Sequence, residues 1–280
     1  MSKRSKSQKQ FAGTEGELIS MTRELDELHH DVGMPIMAAG VSEMIDSMGA
    51  VPQATNRQTS RRTFLMGTGA AVAGGAALFA VGASPGLAAA ATRGEARLHS
   101  VSSVDAAAFP PSDLKGDLAV AAVAASLENL AVFAYNAGIN AALAGKLGAV
   151  PPAVKQFAVT VKSQHTQHAA AWNGVLTGAG KKKVTITNPK LTPTVQADFA
   201  KVTDITGLAQ LALTLETIAA QTYQAETSML KSSAAIGLSS SIQPVEMQHI
   251  AILYYVLGEY PGAQSSAGTP LAFNPTSQAV

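Results

Sequence analysis

The chain contains no cysteine. This absence excludes disulfides, thiolate catalysis and any zinc or iron–sulfur site built on cysteine. Charge is also scarce and balanced, with 14% charged residues and a formal net charge of +1. No basic surface large enough to bind nucleic acid is therefore expected. Aromatic residues make up only 5% of the chain while alanine is abundant, which favours close-packed helices over a sheet.

Two apolar stretches each contain a single acid followed seven residues later by a tyrosine. They are LENLAVFAYNAG at 127–138 and LETIAAQTYQAE at 215–226. On an α-helix seven residues are nearly two turns, so Glu128 shares a face with Tyr135, and Glu216 with Tyr223. Because ionised carboxylates are rarely buried without a partner, each isolated Glu predicts a partner inside a bundle.

Each of these stretches is followed by a second related segment. The two segments are HTQHAAAWNGVL at 165–176 and EMQHIAILYYVL at 246–257. The first contains His165-x-x-His168 and the second Glu246-x-x-His249. A spacing of three places both side chains of a pair on one helical face, where they can hold the same ion. Four helices in two related pairs indicate an internal duplication.

This ordered set resembles the ligands of ferritin-like carboxylate metal proteins, in which two helices each carry a Glu and two each carry Glu-x-x-His. The resemblance covers about residues 113–260. It implies an all-α, ferritin-like four-helix bundle of two duplicated hairpins, with a long crossover between the second and third helices. By the same resemblance the metal ligands are Glu128, His168, Glu216, Glu246 and His249, with His165 as a sixth.

The chain departs from the family pattern at residue 165, where His replaces the expected Glu. A neutral imidazole offers one nitrogen to a metal and cannot bridge two ions as a carboxylate does. The number of anionic ligands also falls from four to three. We therefore expect one ion, or an asymmetric pair with one weak position. Iron is the expected metal, and manganese and zinc are alternatives because carboxylate and imidazole ligands suit all three.

Each candidate ligand also has a purely structural interpretation. The acids could be core groups bonded to Tyr or Asn, the imidazoles could be satisfied core histidines, and Tyr135 and Tyr223 could serve packing alone. Two functions follow from the resemblance. One is a metal-binding protein that oxidises iron or handles oxygen or peroxide. The other is a non-enzymatic structural or stress-protective envelope protein of the desiccation-related type.

Ser60-Arg61-Arg62-Thr63-Phe64-Leu65 resembles a twin-arginine export signal. An apolar run to about residue 87 and small residues at 88–91 follow it, the order in which an export signal is read and cleaved. The resemblance implies export across the cytoplasmic membrane by the twin-arginine machinery, through Arg61 and Arg62. The destination is the periplasm, the envelope or the exterior. An uncleaved segment of this length could instead tether the protein to the membrane.

The segments outside the predicted bundle and signal are expected to be an extension, a linker and a tail without a folded core. Residues 1–59 are predicted to be a flexible polar extension, with a broken amphipathic helix over 21–49. His29 and His30 lie beside Asp26 and Asp31 and are expected to be solvated, with a metal site as the alternative. Translation from Met48 is a further hypothesis for this extension. Residues 92–112 are predicted to be a linker, and residues 261–280 a flexible tail. The sequence does not indicate the oligomeric state. The expected helices are 113–144, 152–176, 204–230 and one ending at 257, with a Ser- and Gly-rich turn at 231–241.

Overall fold

A computed structural model of the chain describes residues 14–47 and 109–259, which belong to one compact unit. These residues form helices and loops, without a strand in either described range. The predicted signal segment, most of the linker and the C-terminal tail lie outside the described residues. The helices are α1 (Glu15–Leu28), α2 (Met34–Ser47), α3 (Asp117–Leu143), α4 (Pro152–Gly178), α5 (Thr192–Phe199), α6 (Ile205–Met229) and α7 (Ser233–Leu257).

Four long helices make the bundle that the duplicated pattern predicts. Helix α3 packs along α4, α6 packs along α7, and α3 contacts α6 across the centre. The connection from α4 to α6 is long and contains the short helix α5. The all-α fold class is therefore confirmed, including the crossover between the second and third bundle helices.

Local sequence signals explain where the bundle helices begin and end. Pro152 lies in the first turn of α4, where its missing N–H costs nothing. The Asp204 carboxylate accepts a hydrogen bond from the Gly207 N–H and caps α6. Ser232 caps α7 in the same way. Gly258 ends α7 with a positive φ of 68°, the left-handed conformation that glycine adopts without strain.

The predicted turn at 231–241 is wrong, because α7 already begins at Ser233. Leu238 and Ile242 are completely buried, and Val245 continues the same face. This buried apolar face outweighs the weak helix propensity of the serines. Pro244 therefore lies inside the helix.

The N-terminal residues also differ from expectation. Residues 15–47, predicted to be part of a flexible extension, form α1, α2 and a π-helical turn at His29–Gly33 between them. Leu18 and Met44 are 0% exposed. Both helices pack against α4 and α7, so their stability comes from a partner far away in the sequence. A chain beginning at Met48 would lack this packing.

Helix α3 is long and apolar enough to cross a membrane by composition, the one such helix in the described residues. In this structure 56% of its most apolar window is buried inside the bundle. Since its apolar surface is already covered by protein, we interpret α3 as the central helix of the bundle.

Replacing Tyr255 with Phe should raise the pKa of Glu17. The Tyr255 hydroxyl and the Thr14 N–H and hydroxyl donate to the Glu17 carboxylate and lower its pKa from 4.5 to about 2. The contribution of this contact to the stability of the folded state is fully present above pH 4.5, and it is lost as the pH falls through about 2. In Tyr255→Phe, an NMR titration should show the Glu17 midpoint move upward. Tyr254→Phe removes a neighbouring hydroxyl and should leave the midpoint unchanged; an equal shift would contradict the assignment.

Candidate metal centre

The duplicated helices bring all six predicted residues to one place in the bundle. Helices α3 and α6 each supply one Glu from the middle of the helix, and α4 and α7 each supply a pair spaced by three residues. The six side chains are 0–2% exposed. They form two overlapping groups, and within each group the ligand atoms lie within 4.8 Å of one another. The six residues are Glu128, His165, His168, Glu216, Glu246 and His249.

The first group contains Glu128, His165, His168 and Glu246. His165 Nδ1 lies 2.7 Å from Glu128 Oε2. His168 Nδ1 lies 3.0 Å from Glu246 Oε1 and 3.6 Å from Glu128 Oε2. Two carboxylates and two imidazoles from three different helices thus face one another.

The second group contains His165, Glu216, Glu246 and His249. His165 Nε2 lies 3.2 Å from Glu216 Oε1. His249 Nδ1 lies 3.1 Å from Glu216 Oε2 and 3.2 Å from Glu246 Oε2. This group again combines two carboxylates with two imidazoles, and repeats the first group through the other half of the duplication.

Glu246 and His165 belong to both groups, and each uses different atoms toward each group. Glu246 directs Oε1 to His168 and Oε2 to His249. His165 directs Nδ1 to Glu128 and Nε2 to Glu216. His165 therefore occupies a place between the two groups that matches the place of Glu246, its counterpart in the repeat.

The spacing of the donor atoms fits a transition-metal ion. An ion with bonds of about 2.1 Å holds neighbouring donors about 3.0 Å apart at right angles and about 3.4 Å apart at tetrahedral angles. The distances above lie around these values. His168 Nδ1 and Glu246 Oε1 are buried and, among the described residues, have no hydrogen-bond partner of good geometry. These two atoms lie 3.0 Å apart but form no well-directed hydrogen bond, and buried ligand atoms of this kind suit a bound cation.

Comparison with known proteins agrees with this architecture. A family described as "Ferritin-like domain" matches residues 116–259. The chain belongs to the ferritin-like domain family. The match covers all four bundle helices and the six clustered residues. No curated protein and no solved structure gave a significant match.

Two tyrosines of the ferritin-like domain bind the glutamates of the opposite repeat. The Tyr135 hydroxyl on α3 donates to Glu216 Oε1 on α6. The Tyr223 hydroxyl on α6 donates to Glu128 Oε1 on α3. Trp172 in turn donates its indole N–H to the Tyr223 oxygen at 3.0 Å. These tyrosines orient the carboxylates, so the interpretation of them as packing alone is wrong.

Burial and opposite charges act against each other on the pKa values of the cluster. Burial alone would raise the pKa of Glu128, but the adjacent imidazoles of His168 and His165 lower it to about 2. Burial alone would lower the pKa of His168, but Glu128 and Glu246 raise it to about 9. The pKa values of His165 and His249 are raised and that of Glu216 is lowered for the same reasons.

Several neighbours of the cluster carried no clear signal in the sequence. Gln164 is 0% exposed, and its Oε1 accepts a hydrogen bond from His249 Nε2 at 2.7 Å. His29, expected to be solvated, is 1% exposed and lies against the ring of His168. Glu226 is buried, and burial raises its pKa well above the ordinary value. Helical periodicity does not identify any of these three residues as a neighbour of the cluster, because each of them contacts the cluster only through tertiary packing.

An apolar cavity of about 50 Å³ adjoins the cluster between the bundle helices. Tyr135, Phe157, Leu208 and Leu253 are among its lining residues. Tyr135 joins the cavity to the carboxylates, because its hydroxyl binds Glu216. A small apolar molecule in this cavity would lie one side chain away from the cluster.

The two tyrosines should differ in their contribution to stability. Tyr135→Phe removes a hydrogen bond to a carboxylate and should reduce the free energy of unfolding by about 1.5–3 kcal/mol. Tyr223→Phe removes the equivalent bond and also leaves the buried Trp172 N–H without its acceptor, which should cost about 1–3 kcal/mol more. Urea denaturation of metal-free protein measures both values. Equal losses in the two variants would show that the Trp172 contact has no separate effect.

Proposed function

We propose that the ferritin-like domain binds a transition-metal ion at the six clustered side chains. The observation that carries this proposal is the pair of overlapping groups, each with two carboxylates and two imidazoles at donor spacings suited to an ion. The burial of six ionisable side chains in one place has a clear electrostatic reason if a cation lies among them.

The two groups are expected to differ in affinity. A neutral His165 has one free lone pair, so it serves either the Glu128 group or the Glu216 group. One ion then has four protein ligands, and a second ion would have only three, including its share of Glu246. We expect iron as the resident metal, with manganese and zinc as alternatives, because this donor set suits all three.

The chemistry we propose is the oxidation of ferrous iron or the handling of dioxygen or peroxide. Iron at this centre would supply one-electron redox chemistry. The protein would select reactants by size, since the six clustered side chains are 0–2% exposed and only small molecules could reach them. The apolar cavity beside Tyr135 supports an apolar reactant such as dioxygen. Tyr135 and Tyr223 hold the carboxylates in place and keep their hydroxyl protons, because burial raises the pKa of both.

A structural role is the second candidate, and charge balance within the cluster favours it. Three imidazoles with raised pKa values lie among three carboxyl groups. Such a set can neutralise itself without a metal. The bundle would then act as a non-enzymatic, stress-protective protein with a buried ion-pair network at its centre.

We further propose that the chain is exported through Arg61 and Arg62, supported by the order of basic, apolar and small residues from 60 to 91. Helices α1 and α2 precede this motif, whereas the bundle follows it. Cleavage near Leu87–Ala90 would therefore separate residues 15–47 from the bundle.

Metal analysis of intact protein purified without added metal should find one tightly held ion per chain. His165→Glu should raise this number to two, because a carboxylate can bridge both positions where imidazole serves one. Elemental analysis after gel filtration measures the number directly. Two tightly held ions in the natural protein would contradict the asymmetry, and no bound ion would favour the structural role.

Ferrous iron added to the metal-free protein should cause oxygen consumption. Glu128→Gln should abolish it, since the variant removes an anionic ligand at nearly constant volume. Glu226→Gln is the matched control: it makes the same substitution at a buried acid on α6 that belongs to neither group. An oxygen electrode distinguishes the two candidate functions. Bound metal without oxygen consumption would support the structural role.

A further inference from the structure

A helical hairpin from the N-terminal part of the chain covers one face of the bundle. We call residues 15–47 the cap; they comprise α1, the π-helical turn and α2. Leu18, Leu25, Met37 and Met44 of the cap are 0–3% exposed. They pack against the face formed by α4 and α7, so this face is an internal contact surface while the cap is docked.

Glycines on both sides of this contact allow the helices to approach closely. A Cβ atom added at Gly40 of the cap would lie 3.4 Å from Leu238 Cβ. On α4, a Cβ at Gly178 would lie only 2.3 Å from Ile45 Cγ1 of the cap. A surface shaped this closely to its occupant indicates a specific docking site rather than incidental coverage.

The cap reaches the metal centre through His29. The His29 ring lies edge-on to His168, with centroids 5.2 Å apart. Its Nε2–H donates to Gln167 Oε1 at 2.6 Å, which holds the ring in this position. His29 is thus a positioning residue for His168, and it lies at a π-helical turn, a feature frequent at functional sites.

A second contact joins the cap, through Gln164, to His249, another of the three imidazoles of the centre. Gln164 donates a long hydrogen bond of 3.5 Å to Asp26 Oδ1 on α1. The same amide accepts from His249 Nε2 at 2.7 Å. The cap therefore contacts His168 directly through His29, and His249 through Gln164.

We propose that the cap is a separable ligand of the α4–α7 face and closes the metal centre, so that ions exchange only when the cap undocks. The closing of the centre rests on the proposed metal function, whereas the docking does not. The order of the chain supports a separable cap, because the proposed export signal lies between the cap and the bundle. Processing near Leu87–Ala90 would leave the two parts joined only by this surface.

The test uses the full chain with a specific protease site inserted between residues 100 and 101. The folded protein is loaded with ferrous ion under argon, cut, and passed through a gel-filtration column. We expect the cap fragment to elute with the bundle and iron to transfer slowly to a colorimetric chelator. Elution of the cap fragment as a separate peak from the natural sequence would overturn the docking.

A pair of glycine variants separates docking from folding. Gly178→Ala places a methyl group against Ile45 of the cap while favouring helix α4 itself. Gly237→Ala is the matched control, because a Cβ there meets nothing within 4 Å. We expect Gly178→Ala to release the cap after cutting and to speed iron transfer at least tenfold, with the initial iron content unchanged. Gly237→Ala should behave as the natural protein.

His29→Ala tests the contact with the metal centre, with His30→Ala as its control on the exposed neighbour. In the uncut chain, His29→Ala should speed iron transfer while His30→Ala should not. Cap release without faster transfer would overturn the closing role and leave the docking standing. If no form binds iron, both the proposed metal function and the closing role fail, and the elution profile alone decides the docking.

Discussion

The attraction between buried carboxylates and imidazoles is the interaction on which this bundle depends. Glu128, Glu216 and Glu246 lie where water cannot solvate them, and their helices carry almost no other charge. Removing one partner from such a set leaves an uncompensated charge in a medium of low dielectric constant, which is strongly destabilising. The helices are therefore held in one register by the need of these groups to meet, with or without a metal among them.

The replacement of a bridging Glu by His165 changes what the centre can do. A carboxylate offers two oxygens of equal character, whereas imidazole offers two nitrogens of which only one accepts when the ring is neutral. In this structure Nδ1 of His165 faces Glu128 and Nε2 faces Glu216. A neutral His165 can therefore act as a ligand of a metal ion, whereas a protonated His165 can supply positive charge in place of the ion. Both candidate functions follow from this dual capacity.

The cap links the metal centre to the proposed route of the protein through the cell. Helices α1 and α2 lie before the arginine pair and the bundle lies after it, yet their apolar faces are buried against each other. If the proposed export signal between these two parts is cleaved, the protein would have two forms, one with the cap attached through the chain and one without that link. The contact of His29 with His168 is where the cap meets the cluster, and the proposed closing role would act through it.

The sequence by itself determined the duplication and the helical faces of Glu128 and His165-x-x-His168, because helical periodicity places side chains on a face without knowledge of any partner. Its resemblance to ferritin-like proteins added the four-helix bundle and the set of six ligands. The sequence also indicated the crossover and most helix ends through Pro152, Asp204 and Gly258. Only the tertiary structure decided the early start of α7, the crosswise bonds of Tyr135 and Tyr223, and the docking of residues 15–47. Each of these depends on contacts between segments distant in the chain, where burial outweighs local propensity and no periodic pattern identifies the partner.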